Sequence, residues 1–472
     1  QSSVTKFLNN QDNELTAGLE LKFQDYQWID IQRPWVGAPI QIGEGEFSET
    51  QRLGESYDIW HVKPKRGAFY VTDKIRYKGL VATLGARFQY WAPGKFVDNM
   101  VNNPDAPILD EVRREYKDGT TKLLGQRFKF RLLPKIRVSF PVRENQVLFF
   151  NYGHSTRLPH PRYIYAGLNP FYQDRSFLSD LGNPDLDPAV DISYEIGLRN
   201  QLSENDALNI SAFWRDKYDF VTTEQLIIED ATGRETEKAF RVNGDYARVR
   251  GIEATYIKRY SDWLMGQVSA TYSRAEGLSS TNDEALRNLI VGGQNVGNNV
   301  ESPLAWDRPW DVKGNVTLTY DRDNPLLGVD GLNKMEMFIS GVWRSGRRYT
   351  PYNYLGRQTN PVTGERDWRP IYERESDPTA RYSKVGASWF YIDLNLKKWF
   401  QFGDTRVTMF MEITNLLNND NPAIVNPVTG KGYKDYPNNQ QDLVELRDNR
   451  SYDMPNNQRD PRFLDPRSNT VP

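Results

Sequence analysis

Residues Phe390 to Pro422 read FYIDLNLKKWFQFGDTRVTMFMEITNLLNNDNP, a stretch that alternates in character and then stops alternating. Phe390, Ile392, Leu394 and Leu396 fall on one side of an extended chain, and Asp393, Asn395 and Lys397 fall on the other. After a short polar turn following Phe400 the pattern resumes, with Val407, Met409, Met411 and Ile413 set against Thr408, Phe410 and Glu412. Successive side chains of a β-strand point to opposite faces, so this is a hairpin with one apolar and one ionic face. From Asn415 the chain becomes a run of Asn, Pro and Gly that a sheet does not accept. The expectation is a strand that stops at a water boundary, beyond which such residues turn freely.

The same alternation recurs outward from this point. In ELTAGLELKF, Leu15, Ala17, Leu19, Leu21 and Phe23 oppose Thr16, Gly18, Glu20 and Lys22. In GLVATLGARFQYW, Leu80, Ala82, Leu84, Ala86 and Phe88 oppose Thr83, Gly85, Arg87 and Gln89. DISYEIGLRN sets Ile192, Tyr194, Ile196 and Leu198 against Ser193, Glu195, Gly197 and Arg199. No sustained helical period with caps competes with it, so the class is all-β. Strands are predicted near 15–26, 66–77, 80–91, 134–141, 145–152, 190–201, 207–221, 243–259, 264–275, 312–320, 332–344, 389–400 and 406–414.

The connectors sort by parity. Short ones follow Tyr77, Pro141, Gln201, Arg259, Tyr320 and Phe400, whereas long ones fill 27–65, 92–133, 153–189, 222–242, 276–311 and 345–388. A soluble sandwich has no reason to sort its loops this way. An antiparallel up-and-down barrel crossing an outer membrane does, with tight periplasmic turns and long outer loops. Closure follows from the solvent, because an unpaired strand edge in hydrocarbon leaves backbone groups unsatisfied. Counting Val4 to Leu8 as the tail of an inward strand gives about fourteen strands, the last of them running outward; barrels with an even count end on a returning strand. The expectation is therefore one partial barrel domain over 1–472, with its final strand and an odd number of early strands lying outside this sequence.

Composition agrees. The 472 residues include 12 Trp, 26 Tyr and 22 Phe, no cysteine, and a formal net charge of −2. Near-neutral charge argues against nucleic acid as a partner, since phosphate binding needs a basic face. The absence of cysteine excludes disulfide scaffolds and thiol catalysis. A mean hydropathy of −0.70 fits a barrel in which only alternate strand residues meet lipid. His61, His154 and His160 are too few for a convincing metal site, and a solvated loop pair is the better reading of the last two. DRDN (Asp321–Asn324) lacks the glycine and distal glutamate of a calcium loop, and VGGQNVGNN (Val291–Asn299) lacks the Gly-Lys-Ser/Thr of a phosphate cradle. No cofactor is implied. An enzymatic barrel would need a His-activated nucleophile. Ser155 beside His154 is the sole suggestive pair, so an enzyme is not expected.

Several segments in order resemble one family, the TonB-dependent outer-membrane receptors of the large Bacteroidota type. EITNLLNNDNPAIVNPVTGKGY resembles the end of their penultimate strand. NPDLDPAVDISYEIGLRNQL (Asn183–Leu202) resembles their N-P-x-L-x-P…E-x-G passage. RVNGDYARVRGIEATY, with Asn243, Val249, Gly251 and Glu253, is similar to a motif in which glycine precedes a lumen-facing glutamate. RSGRRYTP (Arg344–Pro351) and PNNQRDPRFLDPR are similar to a late strand end and the last outer loop.

The resemblance implies a plugged barrel of about 22 strands in the outer membrane of a diderm bacterium. It also implies uptake of a scarce, bulky ligand (metal chelate, glycan or peptide) driven through the TonB complex. A surface lipoprotein lid over the mouth is a further partner it allows. The family's plug domain and TonB box match nothing in this sequence. A non-transporting barrel serving as adhesin or assembly platform is the alternative. On this reading Leu84, Ile196 and Leu394 meet lipid. Glu20, Lys22, Arg87, Glu195, Arg199, Glu253, Asp393, Lys397 and Glu412 contact the plug or line a wet lumen. Trp306, Trp310, Tyr352, Tyr354, Trp368 and Tyr372, in the long loops, either stack on ligand or form an interfacial aromatic belt.

Overall fold

The computed structural model describes residues 2–8, 12–34, 41–43, 46–47, 56–170, 180–229, 235–261, 263–281, 284, 300–323, 325–329, 331–358, 364, 369–375, 377–422, 425 and 430. Long antiparallel strands form its wall. They are β1 (Ser2–Leu8), β2 (Asn13–Phe23), β3 (Lys65–Tyr77), β4 (Leu80–Ala92), β5 (Gln126–Arg143), β6 (Gln146–Arg157) and β7 (Ala189–Gln201). They continue as β8 (Asp206–Glu229), β9 (Glu235–Ser261), β10 (Leu264–Gly277), β11 (Trp310–Tyr320), β12 (Met335–Arg344), β13 (Trp389–Phe402) and β14 (Thr405–Ile413). Each pairs antiparallel with the next, within a sheet of 17 strands whose other members are the short Thr121–Leu123, Asp180–Leu181 and Ser302–Pro303. Among the described residues no register joins β1 to β14.

The parity of the connectors holds at nearly every hairpin. The turn between β3 and β4 is two residues, Lys78 and Gly79, with φ of 46° and 85°. Positive φ at both central positions is what a type I′ hairpin demands. The exception is 222–242, expected as loop. There the β8–β9 ladder runs on from Val221↔Asn243 to Glu229↔Glu235, past register shifts between Lys217 and Val221. Asp219 takes φ 57° in that interruption, so the ladder bulges once and then continues instead of ending.

Exposed apolar side chains crowd one face of the sheet, among them Leu84 (46 %), Leu132 (60 %), Ile196 (51 %) and Ile252 (56 %). The pairing rungs are long. One runs Leu15–Asp73–Leu84–Ile136–Tyr152–Tyr194–Trp214–Arg250–Arg274. It begins near the short turns and finishes near the long loops, as tilted strands require.

The long connectors are not wholly irregular, a departure from the helix-free reading. Segment 93–125 holds α1 (Lys95–Asn102) and α2 (Asp110–Gly119), and 158–188 holds the short α3 (Pro161–Tyr165). Val97 and Val101 of α1, with Val112 and Tyr116 of α2, enter a buried cluster with Trp60, Trp91, Ile164, Tyr165, Leu168 and Leu186. An apolar core thus sits above the wall, at its long-loop end.

Candidate functional site

Beside that core lies a cavity of about 660 Å³. Arg66, Trp91, Arg157, Tyr163, Tyr165 and Trp306 are among its lining residues. Arg66 of β3 and Trp91 of β4 are register partners at the tops of their strands. Arg157 is the last residue of β6. Tyr163 and Tyr165 come from α3, whose N-terminus is set by Pro161 in its first turn and by His160 Nδ1, which accepts from Arg162 N at 3.3 Å. Proline suits that position because the first-turn N–H has no helical partner.

Neighbouring elements fix these side chains. Tyr165 is buried, donates its hydroxyl to the Pro93 carbonyl at 2.8 Å, and sits 5.1 Å from the Trp60 ring. Burial pushes its phenol well above the ordinary value. Trp60 in turn stacks on Trp28, centroids 5.6 Å apart. Asp58 accepts from Trp60 Nε1 at 3.0 Å and from Gly167 N at 3.1 Å, which ties the strand Ser56–Val62 to the chain after α3. Burial raises the Asp58 carboxyl despite those donors. Around the cavity Lys217 pairs with Asp191 at 3.3 Å, whereas Arg66 keeps its Nε buried without a hydrogen-bond partner.

The quoted motifs prove to be joints of this end of the wall. Asn183 donates to the Arg241 carbonyl at 2.8 Å and accepts from Asp185 N at 2.8 Å. Asn243 accepts from Asp187 N and donates to the carbonyls of Asp187 and Asp219. Buried Lys129 reaches Asp185 and Asp187, 2.9 Å each. At Gly251 any Cβ would run into the Tyr272 carbonyl and the Phe213 ring, so glycine is the residue that fits. The Asn-rich stretch after β14 is also built in, contrary to the expectation of free turning. Asn415 donates its backbone N–H to Asp393 Oδ1 at 2.8 Å, and Asn419 Nδ2 donates to the Phe390 carbonyl at 3.1 Å. The Asp393 and Asn419 side chains thus satisfy backbone groups that the ladder leaves behind at the ends of β14 and β13.

The register sets Glu20, Lys22, Arg87, Glu195, Arg199, Glu253, Asp393, Lys397 and Glu412 on the face opposite Leu84, Ile196 and Leu394. Arg87 pairs with Glu20 at 2.7 Å, Lys22 with Glu20 at 2.7 Å, and Lys397 with Glu336 at 2.7 Å. Glu195 accepts from Asn151 at 3.0 Å, and Arg199 lies 4.9 Å over the Phe149 ring.

The loop aromatics divide. Trp306 lines the cavity. Trp310 opens β11 instead of lying in a loop; strand alternation turns it to the apolar face, where its ring meets Tyr272 at 4.9 Å. Tyr352, Tyr354 and Tyr372 belong to a separate hairpin, Tyr352–Gln358 with Arg369–Arg374, in which Tyr354 and Tyr372 are register partners. Trp368 lies outside the described residues. Sequence reasoning missed Arg66, Trp91, Arg157, Tyr163 and Tyr165. The first three continue the polar-face alternation to the strand tops, and the His-Pro before Tyr163 was a readable helix start.

A family model described as TonB dependent receptor-like, beta-barrel, matches residues 3–458. Among solved structures the chain is similar to the outer membrane transporter YddB from Escherichia coli (13% identity, 88% of this chain and 49% of that one, TM-score 0.53). It is also similar to the ferric enterobactin receptor PfeA from Pseudomonas aeruginosa in complex with enterobactin (13% identity, 88% of this chain and 48% of that one, TM-score 0.52). At that identity the likeness is one of fold. The chain spans about half the length of these structures. No curated protein sequence matches. The apolar face is accordingly the lipid face of an outer-membrane barrel wall, and the chain belongs to the TonB-dependent receptor β-barrel family.

Proposed function

We propose that this wall serves TonB-dependent active uptake of a bulky ligand, a metal chelate, glycan or peptide, across the outer membrane. The observation that carries the reading is the roughly 660 Å³ cavity, which lies at the long-loop end of a charge-lined wall and mixes aromatic faces with fixed cations. Such a mixture is how small-ligand sites combine burial with orientation. The nine charged residues of the polar face would then meet a plug or a wet lumen, where charge is tolerated.

Among the described residues β1 and β14 have one strand partner each, which supports further strands, up to about 22 in all, since hydrocarbon leaves no unpaired edge satisfied. A plug and a TonB-contacting segment would belong to the same longer protein. The test is uptake by whole cells across candidate nutrients, with the receptor deleted and separately with TonB deleted. Loss of concentrative uptake in both strains is expected. Uptake that survives TonB deletion would contradict an energised transporter and favour an adhesin or assembly platform.

A further inference from the structure

The polar face is not evenly charged. Between β3 and β8 it carries Arg66, Lys135, Arg137, Arg157, Arg199 and Arg215, and none of these makes an ion pair among the described residues. The carboxylates nearby are already engaged. Glu20 is held by Arg87, Asp191 by Lys217, and Asp219 by Arg131 at 3.3 Å; Asp245, which lines the cavity, is buried and accepts from Ser279 Oγ and from Tyr246 N at 2.7 Å. Glu195 lies within the stripe and accepts from Asn151. Between β9 and β14 the same face is balanced. Arg344 pairs with Asp311 at 2.8 Å and Lys397 with Glu336 at 2.7 Å, while Glu253, Asp393 and Glu412 are offset by Lys313 and Arg406.

The basic residues form a descending path. Arg66 and Arg157 line the cavity. Beneath them Lys135 and Arg215 share one rung, separated only by Gly153 and Ser193, so two cations flank a trough of small residues. Arg137 follows two residues down β5, and Arg199 lies two residues before the short-turn end of β7. Uncompensated cations focused in a cleft attract anions and raise their local concentration. The guanidinium fork matches carboxylate, sulfate or phosphate bidentately.

We propose that the cavity and the stripe beneath it take a polyanionic ligand with flat ring faces. Arg66 and Arg157 grip its anionic groups, Tyr163 and Trp306 stack on its rings, and Lys135, Arg137 and Arg215 draw it inward. This names the ligand chemistry of the uptake reading above and rests on it for the direction of travel.

The test uses the full-length receptor in nanodiscs with pyrenetetrasulfonate, a soluble planar polyanion, followed by fluorescence anisotropy. The comparison probe is a pyrene bearing quaternary ammonium groups. The expected result is saturable binding of the sulfonate alone, weakening as salt rises. Arg66→Gln and Arg157→Gln should each lower its affinity about tenfold, the size of one lost charge-assisted contact. The triple variant Lys135→Gln, Arg137→Gln and Arg215→Gln should bind several-fold more weakly with an unchanged melting temperature. Equal binding of the cationic probe, or affinity untouched by both arginine variants, overturns the proposal. So does a triple variant that loses stability but not affinity, because the stripe would then face an acidic plug surface. Binding is read without TonB or energy, so a failure of energised uptake leaves this result standing, and a failure of binding leaves TonB dependence untouched.

Discussion

Arg113 of α2 offers a sharp perturbation of the core above the wall. Its side chain is 12 % exposed. Nε donates to the Ile108 carbonyl at 3.0 Å, one terminal nitrogen to Val101 at 2.6 Å and Met100 at 3.2 Å, and the other to Ala106 at 2.6 Å. Met100 and Val101 lie in the last turn of α1, where the Met100 carbonyl also accepts from Asn103 N at 3.1 Å and the Val101 carbonyl is beyond the reach of the helical ladder. A hydrogen bond to a charged donor contributes about 1.5–3 kcal/mol net, so losing the Val101 and Ala106 contacts alone costs about 3–6 kcal/mol. Arg113→Met keeps much of the apolar stem and removes every donor. The assay is native-state hydrogen exchange read by mass spectrometry on peptides from 95–119. Exchange there should quicken by about two to four orders of magnitude, at roughly 1.4 kcal/mol per tenfold, while β5 and β6 keep their protection. Arg113→Lys, a point charge without the fork, should fall between the two. Exchange within about threefold of the parent would show that water replaces the guanidinium at no cost and would refute the reasoning.

Leu394 lies between Ile339 and Ile413 on its rung; Leu394→Arg puts a cation on the lipid face, where the cost reaches about 2–4 kcal/mol at the bilayer midplane and falls toward the interfaces, and should impair heat-modifiable gel migration, whereas Asn395→Arg on the opposite face should not. Lys129→Met strands the Asp185 carboxylate, whereas Asp187, 44 % exposed, turns to water; breaking a buried pair from one side costs about 3–5 kcal/mol, and the partial exposure here sets the loss at the low end of that range. Limited proteolysis should then cut near 183–188, and adding Asp185→Asn should restore part of the resistance. For Asp58 the sign follows from burial, which raises its folded-state pKa. Its contribution is therefore fully present below the unfolded value of about 3.9 and is lost as pH rises through the folded value. Amide protection around Gly167 should fall on going from mildly acid to neutral pH, and Asp58→Asn should flatten that dependence.

The wall was readable because lipid on one side and charge on the other force a two-residue period, as in Ile192 to Arg199 or Phe390 to Lys397. What lies above it was not. α1 carries Phe96, Val97, Met100 and Val101 within only eight residues, and α2 carries Val112 and Tyr116 alone among charged neighbours, so neither sustains a helical period over enough turns to be read. The cavity draws on segments far apart in sequence, from Arg66 to Trp306, so no local pattern assembles it. Asn415 and Asn419 looked like freely turning residues, because composition records their preference for turns but not the strand ends they are bonded to. The β8–β9 extension escaped for a related reason: the interruption at Asp219 resembled an ending when it was only a bulge.

The slanting rung from Leu15 to Arg274 has a consequence for how this protein tolerates change. Neighbours across the backbone ladder sit at different depths, so Asp73 and Arg274 can be charged at the two extremities while Leu84 and Ile136 between them stay oily. Tolerance to substitution should therefore band by altitude, cutting diagonally across the rungs, and a scan plotted by strand index alone would look like noise.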